Sequence, residues 1–198
     1  MTAAVLFPVF RAVEALAVRG GPAAVVIDGR CGSGKTWLAE QLAQRWPCRV
    51  VHMDHFYLPM ERRAPDWEET PAGNMDLDRL REEVLVPFAA GTLRGYRPYD
   101  CRSGAFLPPI SLADSALLVL EGSYSHHPAL AVPGALKVFL TCSRKEQERR
   151  LRLREGERFT AFEKRWIPLE ERYCRACGVP EADALVVETD SLFSANSI

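Results

Sequence analysis

The spacing of apolar positions changes in a regular order along this chain. Val9, Val13 and Leu16 recur at i, i+4 and i+7, which predicts an opening amphipathic helix that Gly20-Gly21-Pro22 stops. Ala23–Ile27 is then apolar at every position. Such a short run between turn signals suits a strand covered on both faces of a parallel sheet. Similar runs follow at Arg49–Met53, Ala116–Leu120 and Leu136–Leu140, with a weaker fifth at Ala184–Val187. Helical periods over Lys35–Arg45, Leu77–Ala90, Arg144–Arg154 and Phe159–Ala176 separate most of them. Strands alternating with helices predict βαβ units with right-handed crossovers, hence an α/β fold with a parallel five-stranded sheet between helices. At 198 residues the chain is expected to form one domain over 1–198.

Two stretches break the periodicity. Leu58–Asn74 carries three prolines, several acids and Trp67; Gly91–Pro109 is rich in Gly, Pro, Tyr and Arg. Loops of this length inside a compact domain are usually lids or binding loops, and otherwise disordered.

Composition narrows the class. Hydrophobic residues make up 47% and charged residues 26%, and the net charge is -1, so neither nucleic acid nor an anionic membrane is expected as partner. No apolar run reaches the ~20 residues of a membrane span. The apolar N-terminal stretch carries Pro8, Arg11 and Glu14 without a basic lead, unlike a signal peptide. Six irregularly spaced cysteines then suggest reduced thiols in a cytoplasmic protein. Cys174-Arg-Ala-Cys177 has no second pair and reads as helix-face thiols rather than a zinc site. Homo-oligomerisation is left open.

Chemistry enters at Gly29-Arg30-Cys31-Gly32-Ser33-Gly34-Lys35-Thr36, which matches G-x-x-x-x-G-K-[ST] at every fixed position. Val25-Val26-Ile27-Asp28 before it reads as strand, and Trp37-Leu38-Ala39 after it opens a helix. Glycines let the backbone turn its N–H groups inward around an anion, and the helix N-terminus adds positive partial charge. The expected ligand is Mg·ATP, with Lys35 on the β- and γ-phosphates and Thr36 on Mg²⁺. No Asn-Lys-x-Asp is present to read guanine.

Carboxylates stand where two further strands should end. Asp54, in Val51-His-Met-Asp54-His-Phe-Tyr57, could accept a proton from an attacking hydroxyl, orient it, or hold metal through water. Glu121 closes Leu117-Leu-Val-Leu-Glu121 and is a candidate for the Mg²⁺ shell beside Thr36. Downstream, Arg144, Arg149, Arg150, Arg152, Arg154 and Arg158 crowd one helix and the turn after it, an Arg-rich lid over about 143–160. Arg150 and Arg154 stand at i, i+4, so one face could present two guanidiniums to a transferring phosphoryl group; the interleaved glutamates also allow a solvated face.

These motifs follow one another in the order found in the uridine kinase and phosphoribulokinase-like group of P-loop kinases, which the chain resembles over roughly residues 23–160. The resemblance implies strand order 2-3-1-4-5 and catalytic roles for Lys35, Asp54, Arg150 and Arg154. It also implies acceptor contacts from Asp54, Tyr57 and the Pro98-Tyr99-Asp100 segment. His55 stands where that family has a second Asp, and Gly104 where uridine-cytidine kinases carry a His, so a base-reading contact is missing. The expected activity is transfer of the γ-phosphate of ATP to a hydroxyl of a small molecule. A nucleotide-dependent ATPase or switch acting on a protein partner is the alternative.

Overall fold

A computed structural model describes residues 2–193. Five strands, β1 (Ala23–Gly29), β2 (Arg49–His52), β3 (Leu117–Glu121), β4 (Leu136–Thr141) and β5 (Leu185–Glu188), form one parallel sheet. Their order is β2-β3-β1-β4-β5, as anticipated.

The two-residue period of each strand sorts its side chains between two cores. Val25, Ile27, Leu117, Val119, Val138, Leu140 and Val187 enter one core, against helix α1 (Thr2–Arg19) through Leu6, Val9 and Val13. Helix α2 (Lys35–Arg45) joins that core through Leu38, Ala39 and Leu42. Ala24, Val26, Val51, Leu118, Leu120 and Phe139 enter the other, which also takes Leu80, Val84 and Phe88 of helix α3 (residues 77–89) and Tyr173 of helix α5 (residues 159–177). The result is three layers. Runs that look uniformly apolar in sequence are explained by this double covering.

Helix ends follow local chemistry. Ser143 caps helix α4 (Arg144–Glu155) by accepting from the N–H of Glu146, three residues on, where a Glu at that position favours the helix start. Asp76 caps α3 through the Arg79 N–H. Gly178, in the left-handed region, ends α5. Both α3 and α5 widen by one π-helical turn, at Arg81–Leu85 and Phe162–Trp166.

Two details differ from the sequence reading. Met53 lies outside β2, in a 3-10 turn over Met53–Phe56 that turns the chain away from the sheet. Residues 91–109 are partly ordered into small antiparallel ladders: Gly95–Tyr96 pairs with Ile110–Ser111, and Tyr99–Asp100 with Ala105–Phe106. The turn expected after the Arg-rich helix is a 3-10 turn at Gly156–Arg158.

Candidate active site

The loop at the end of β1 has the form its glycines predict. Gly29 has φ 141°, and a Cβ there would stand 2.0 Å from the carbonyl oxygen of Leu140, so only glycine lets β1 and β4 run together at this point. Gly34 has φ 98° and starts α2, whose first residue is Lys35. Lys35 Nζ donates to the carbonyls of Gly29 (2.7 Å) and Arg30 (3.1 Å), folding its charge over the loop.

The next residue reaches the neighbouring strand. Thr36 Oγ1 donates to both oxygens of Glu121, at 3.3 and 3.4 Å. Glu121 is buried, and its Oε1 lies 2.6 Å from Nδ1 of His52, directly across the β2–β3 pairing. That hydrogen bond raises the His52 imidazole above its usual value, although burial opposes it. His52 was not singled out from the sequence. A polar residue inside an otherwise apolar strand run was the available signal, but its partner is 69 residues away.

These residues fit a phosphate chain and Mg²⁺. The loop supplies positive-φ glycines and a lysine bonded only to main-chain oxygen. Thr36 and Glu121 offer two oxygen ligands of the kind Mg²⁺ takes. Among the described residues no cluster of three or more His, Cys, Asp or Glu could hold a metal by itself. Further ligands would therefore have to come from phosphate and water, as is usual for this ion.

Opposite the loop, Asp54 stands exposed in the 3-10 turn after β2, and its Oδ1 accepts a hydrogen bond from Tyr57 Oη (3.2 Å). Arg79 of α3 sets this wall. Its guanidinium donates to the carbonyl of His55 (2.5 Å) and that of Arg97 (2.8 Å), and lies over the Phe56 and Phe106 rings at 4.2 and 5.1 Å. One largely buried cation thus ties the turn bearing Asp54 to the hairpin bearing Tyr99. Tyr96 adds a second tie, pairing with His55 Nδ1 at 2.7 Å and stacking on Phe56.

A single cleft of about 1470 Å³ receives most of the sequence-predicted residues: Cys31, Gly32, Gly34, Lys35, Thr36, Trp37, Asp54, Tyr57, Tyr99, Glu121, Arg150 and Arg154. Gly29, Arg30, Ser33 and Asp100 do not line it. Gly29 lies under the Lys35 amine; Arg30 turns outward to Glu171 (2.6 Å) and Thr141; Ser33 is fully buried. Asp100 spends its two oxygens on the amides of Arg102 and Ser103, closing the hairpin turn, and those contacts hold its carboxyl below the usual range.

The two lid arginines are placed differently from each other. Arg150 is held by Glu146 (2.7 Å), the carbonyl of Gly32 (3.2 Å) and Thr189 (2.7 and 2.9 Å), with the Phe193 ring against it. It braces the loop through the Gly32 carbonyl while still lining the cleft. Arg154 is exposed and pairs with its neighbour Glu155 at 2.8 Å.

Glu170 is a further cleft residue that sequence patterns did not reveal. This buried carboxylate on α5 accepts from the Cys31 N–H (2.8 Å) and from Ser123 Oγ (2.5 Å), joining the phosphate loop to the segment after β3. On the other side of the loop, Gln147 of α4 donates to the Cys31 carbonyl (3.0 Å). Nothing local in the sequence around Glu170 marks it, since its partners come from two other parts of the chain.

No protein-family model matches this sequence, and no curated relative does. Solved structures with the same fold do exist. One, a possible uridine kinase from Bacillus stearothermophilus, aligns with a TM-score of 0.62 at 21% identity, covering 85% of this chain and 89% of that one. Another, a candidate fructose transport system kinase from Silicibacter sp. TM1040, aligns with a TM-score of 0.61 at 20% identity, covering 84% and 89%. No helix among the described residues is long and apolar enough to cross a membrane.

Proposed function

We propose that this protein is a P-loop kinase of the uridine kinase and phosphoribulokinase-like kind, transferring the γ-phosphate of ATP to a hydroxyl of a small molecule with Mg²⁺ as the metal. The observation that carries this reading is the meeting, in one cleft, of Lys35, Thr36 and Glu121 with Asp54, Tyr57 and Tyr99. Two similarly folded proteins named as kinases support it.

When bound, Mg·ATP supplies the phosphoryl group, and the metal ion neutralises charge on its oxygens. The loop amides and Lys35 bind and orient the phosphate chain. Thr36 and Glu121 present oxygen to the metal, and His52 holds the Glu121 carboxylate in place. Asp54 accepts the proton from the acceptor hydroxyl and, with the Tyr57 hydroxyl bonded to it, aims that oxygen at the phosphate. Arg150 keeps the loop in shape through the Gly32 carbonyl, and Arg154, exposed and paired only with Glu155, is the arginine that can exchange that partner for developing charge.

An ATP-consumption screen over nucleosides, sugars, sugar phosphates and vitamin precursors, read by product mass, tests the reading. A product heavier than its acceptor by one phosphoryl group is the expected result. ATP hydrolysis that no acceptor stimulates would favour an ATPase or switch. The buried Tyr99 ring lining the cleft supports the enclosed acceptor site of a kinase over a partner-binding surface.

A further inference from the structure

Six arginines other than Arg150 line the cleft, and their charges are not equally available. Arg149 is paired with Glu146, Arg154 and Arg158 with Glu155, and Arg165 with Glu68. Arg63 and Arg102 are the exceptions: among the described residues, neither has a carboxylate oxygen within the 4.0 Å of an ion pair. Both belong to the acceptor wall, Arg63 to the segment after Asp54 and Arg102 to the hairpin after Tyr99.

Arg63 is also held in position. Its Nε donates to the carbonyl of Leu58 at 3.0 Å and its guanidinium stacks on the Trp67 ring at 4.7 Å, which leaves the two terminal nitrogens free. Arg102 sits on a turn whose shape the Asp100 carboxylate fixes. Cys101 marks where these parts meet. Partial burial raises its thiol, the Arg63 charge pulls it back, and Asp54 and Asp100 push it up. Beside it, a Cβ on Gly104 would meet nothing nearer than Tyr99 Oη at 4.0 Å, so there is room for a ligand group next to that hydroxyl. Along residues 54–63 and 99–102, Asp54 is the one carboxylate facing the cleft, and it is already assigned to the reacting hydroxyl.

We propose that Arg63 and Arg102 form an anion subsite, so that the acceptor is a hydroxyl compound bearing a carboxylate or phosphate group away from the reacting oxygen. This rests on the phosphotransferase reading of the cleft. An anchored guanidinium with free terminal nitrogens suits bidentate recognition of a planar or tetrahedral oxyanion, and a second cation from another loop fixes the orientation. Neutral polyols and nucleosides gain nothing from either charge, so an anionic acceptor is favoured over them.

The test uses the full chain and matched probes: D-glycerate against glycerol, and D-ribose 5-phosphate against D-ribose. Each is titrated calorimetrically with and without Mg²⁺ and a non-hydrolysable ATP analogue. At least one anionic probe should bind ten times more tightly than its neutral twin or better. Arg63→Gln and Arg102→Gln should each weaken that probe by about 10- to 100-fold. Neutral probes and the ATP analogue should be unaffected, Arg63→Lys should lose less than Arg63→Gln, and Arg81→Gln, outside the cleft, should change nothing. The carboxylate and phosphate arms identify which anion is read. Anionic probes that bind no better than their twins would overturn the subsite, as would a preference that survives in the double variant. Failure of the ATP analogue to bind would break the kinase reading alone, because the twin comparison is also made without nucleotide.

Discussion

The phosphate loop and the acceptor wall face each other across one cleft, but they are held in opposite ways. The loop is fastened from behind by α4 and α5: Gln147 and Glu170 take the two sides of Cys31, Arg150 takes the Gly32 carbonyl, and Glu171 holds Arg30. The acceptor wall is tied at its base by Arg79 and Tyr96, while the residues it presents, Asp54, Met60 and Arg102, are exposed. A phosphate chain is the same in every such reaction, and a preformed nest of amides binds it without reorganisation. An acceptor wall that closes on its ligand can exclude water only when the ligand is present. Gln147 and Arg150 belong to the Arg-rich segment itself, and Glu170 and Glu171 to the helix after it, so both elements are bonded directly to the loop.

The largest expected effect lies on the fastened side. Lys35→Ala should lower kcat/KM for phosphoryl transfer by about 10³- to 10⁵-fold, the range seen when a cation on the transferring group is lost. Because Lys35 contacts only loop carbonyls and not the core, thermal unfolding without ligand should be nearly unchanged. Wild-type turnover in this variant would remove the basis for the loop assignment.

Across the cleft, Asp54→Asn keeps size but removes charge and most basicity, and should lower kcat by about 10²- to 10⁴-fold with little change in nucleotide affinity. Repeating the assay over a Mg²⁺ titration sharpens the comparison. Rescue by excess metal would move Asp54 from the acceptor's proton to the metal shell, and near-normal turnover at ordinary Mg²⁺ would exclude it from catalysis.

The fastening itself can be cut. Glu170→Ala frees the Cys31 amide and the Ser123 hydroxyl at once, and should weaken binding of the ATP analogue by about 10-fold while sparing acceptor affinity. If acceptor affinity fell instead, the division between a braced loop and an open wall would be wrong. Arg79→Ala is the counterpart on the acceptor side. It removes two main-chain hydrogen bonds from a largely buried guanidinium and should destabilise the fold by about 2–3 kcal/mol, measured by chemical unfolding.

The smallest effect concerns pH. Hydrogen bonds from Arg149 and then Arg150 hold the Glu146 carboxyl down at about 2, against an ordinary 4.5. A carboxyl depressed on folding stabilises the protein above pH 4.5, and that contribution is lost as pH falls toward 2. Glu146→Gln should therefore lower the melting temperature modestly at neutral pH, and the gap to the parent should narrow below pH 4.5. A gap that stayed constant with pH would mean that Glu146 acts by packing or capping alone.

Much of this molecule was legible before any coordinates. The β1 run, the loop glycines, Lys35 and Thr36 lie within 14 consecutive residues, so local spacing carries their structure. The periods of strands and helices likewise predicted a parallel sheet between helix layers, because each run must bury its apolar face on the element that follows. What could not be read was set by pairs far apart in the chain. Asp100 and Arg150 have suitable residue types in suitable places, yet only the folded chain shows Asp100 turned onto its own hairpin and Arg150 bonded to the Gly32 carbonyl. His52 meets Glu121 across 69 residues and Cys31 meets Glu170 across 139; sequence period says where an element lies, not which side chain of another element will face it. Side-chain direction depends on the angles and offsets at which packed layers meet. That is why the sequence alone determined the sheet, the glycine-rich loop after β1 and the carboxylate that ends β3, while tertiary packing decided which charges are neutralised and which are left facing the cleft.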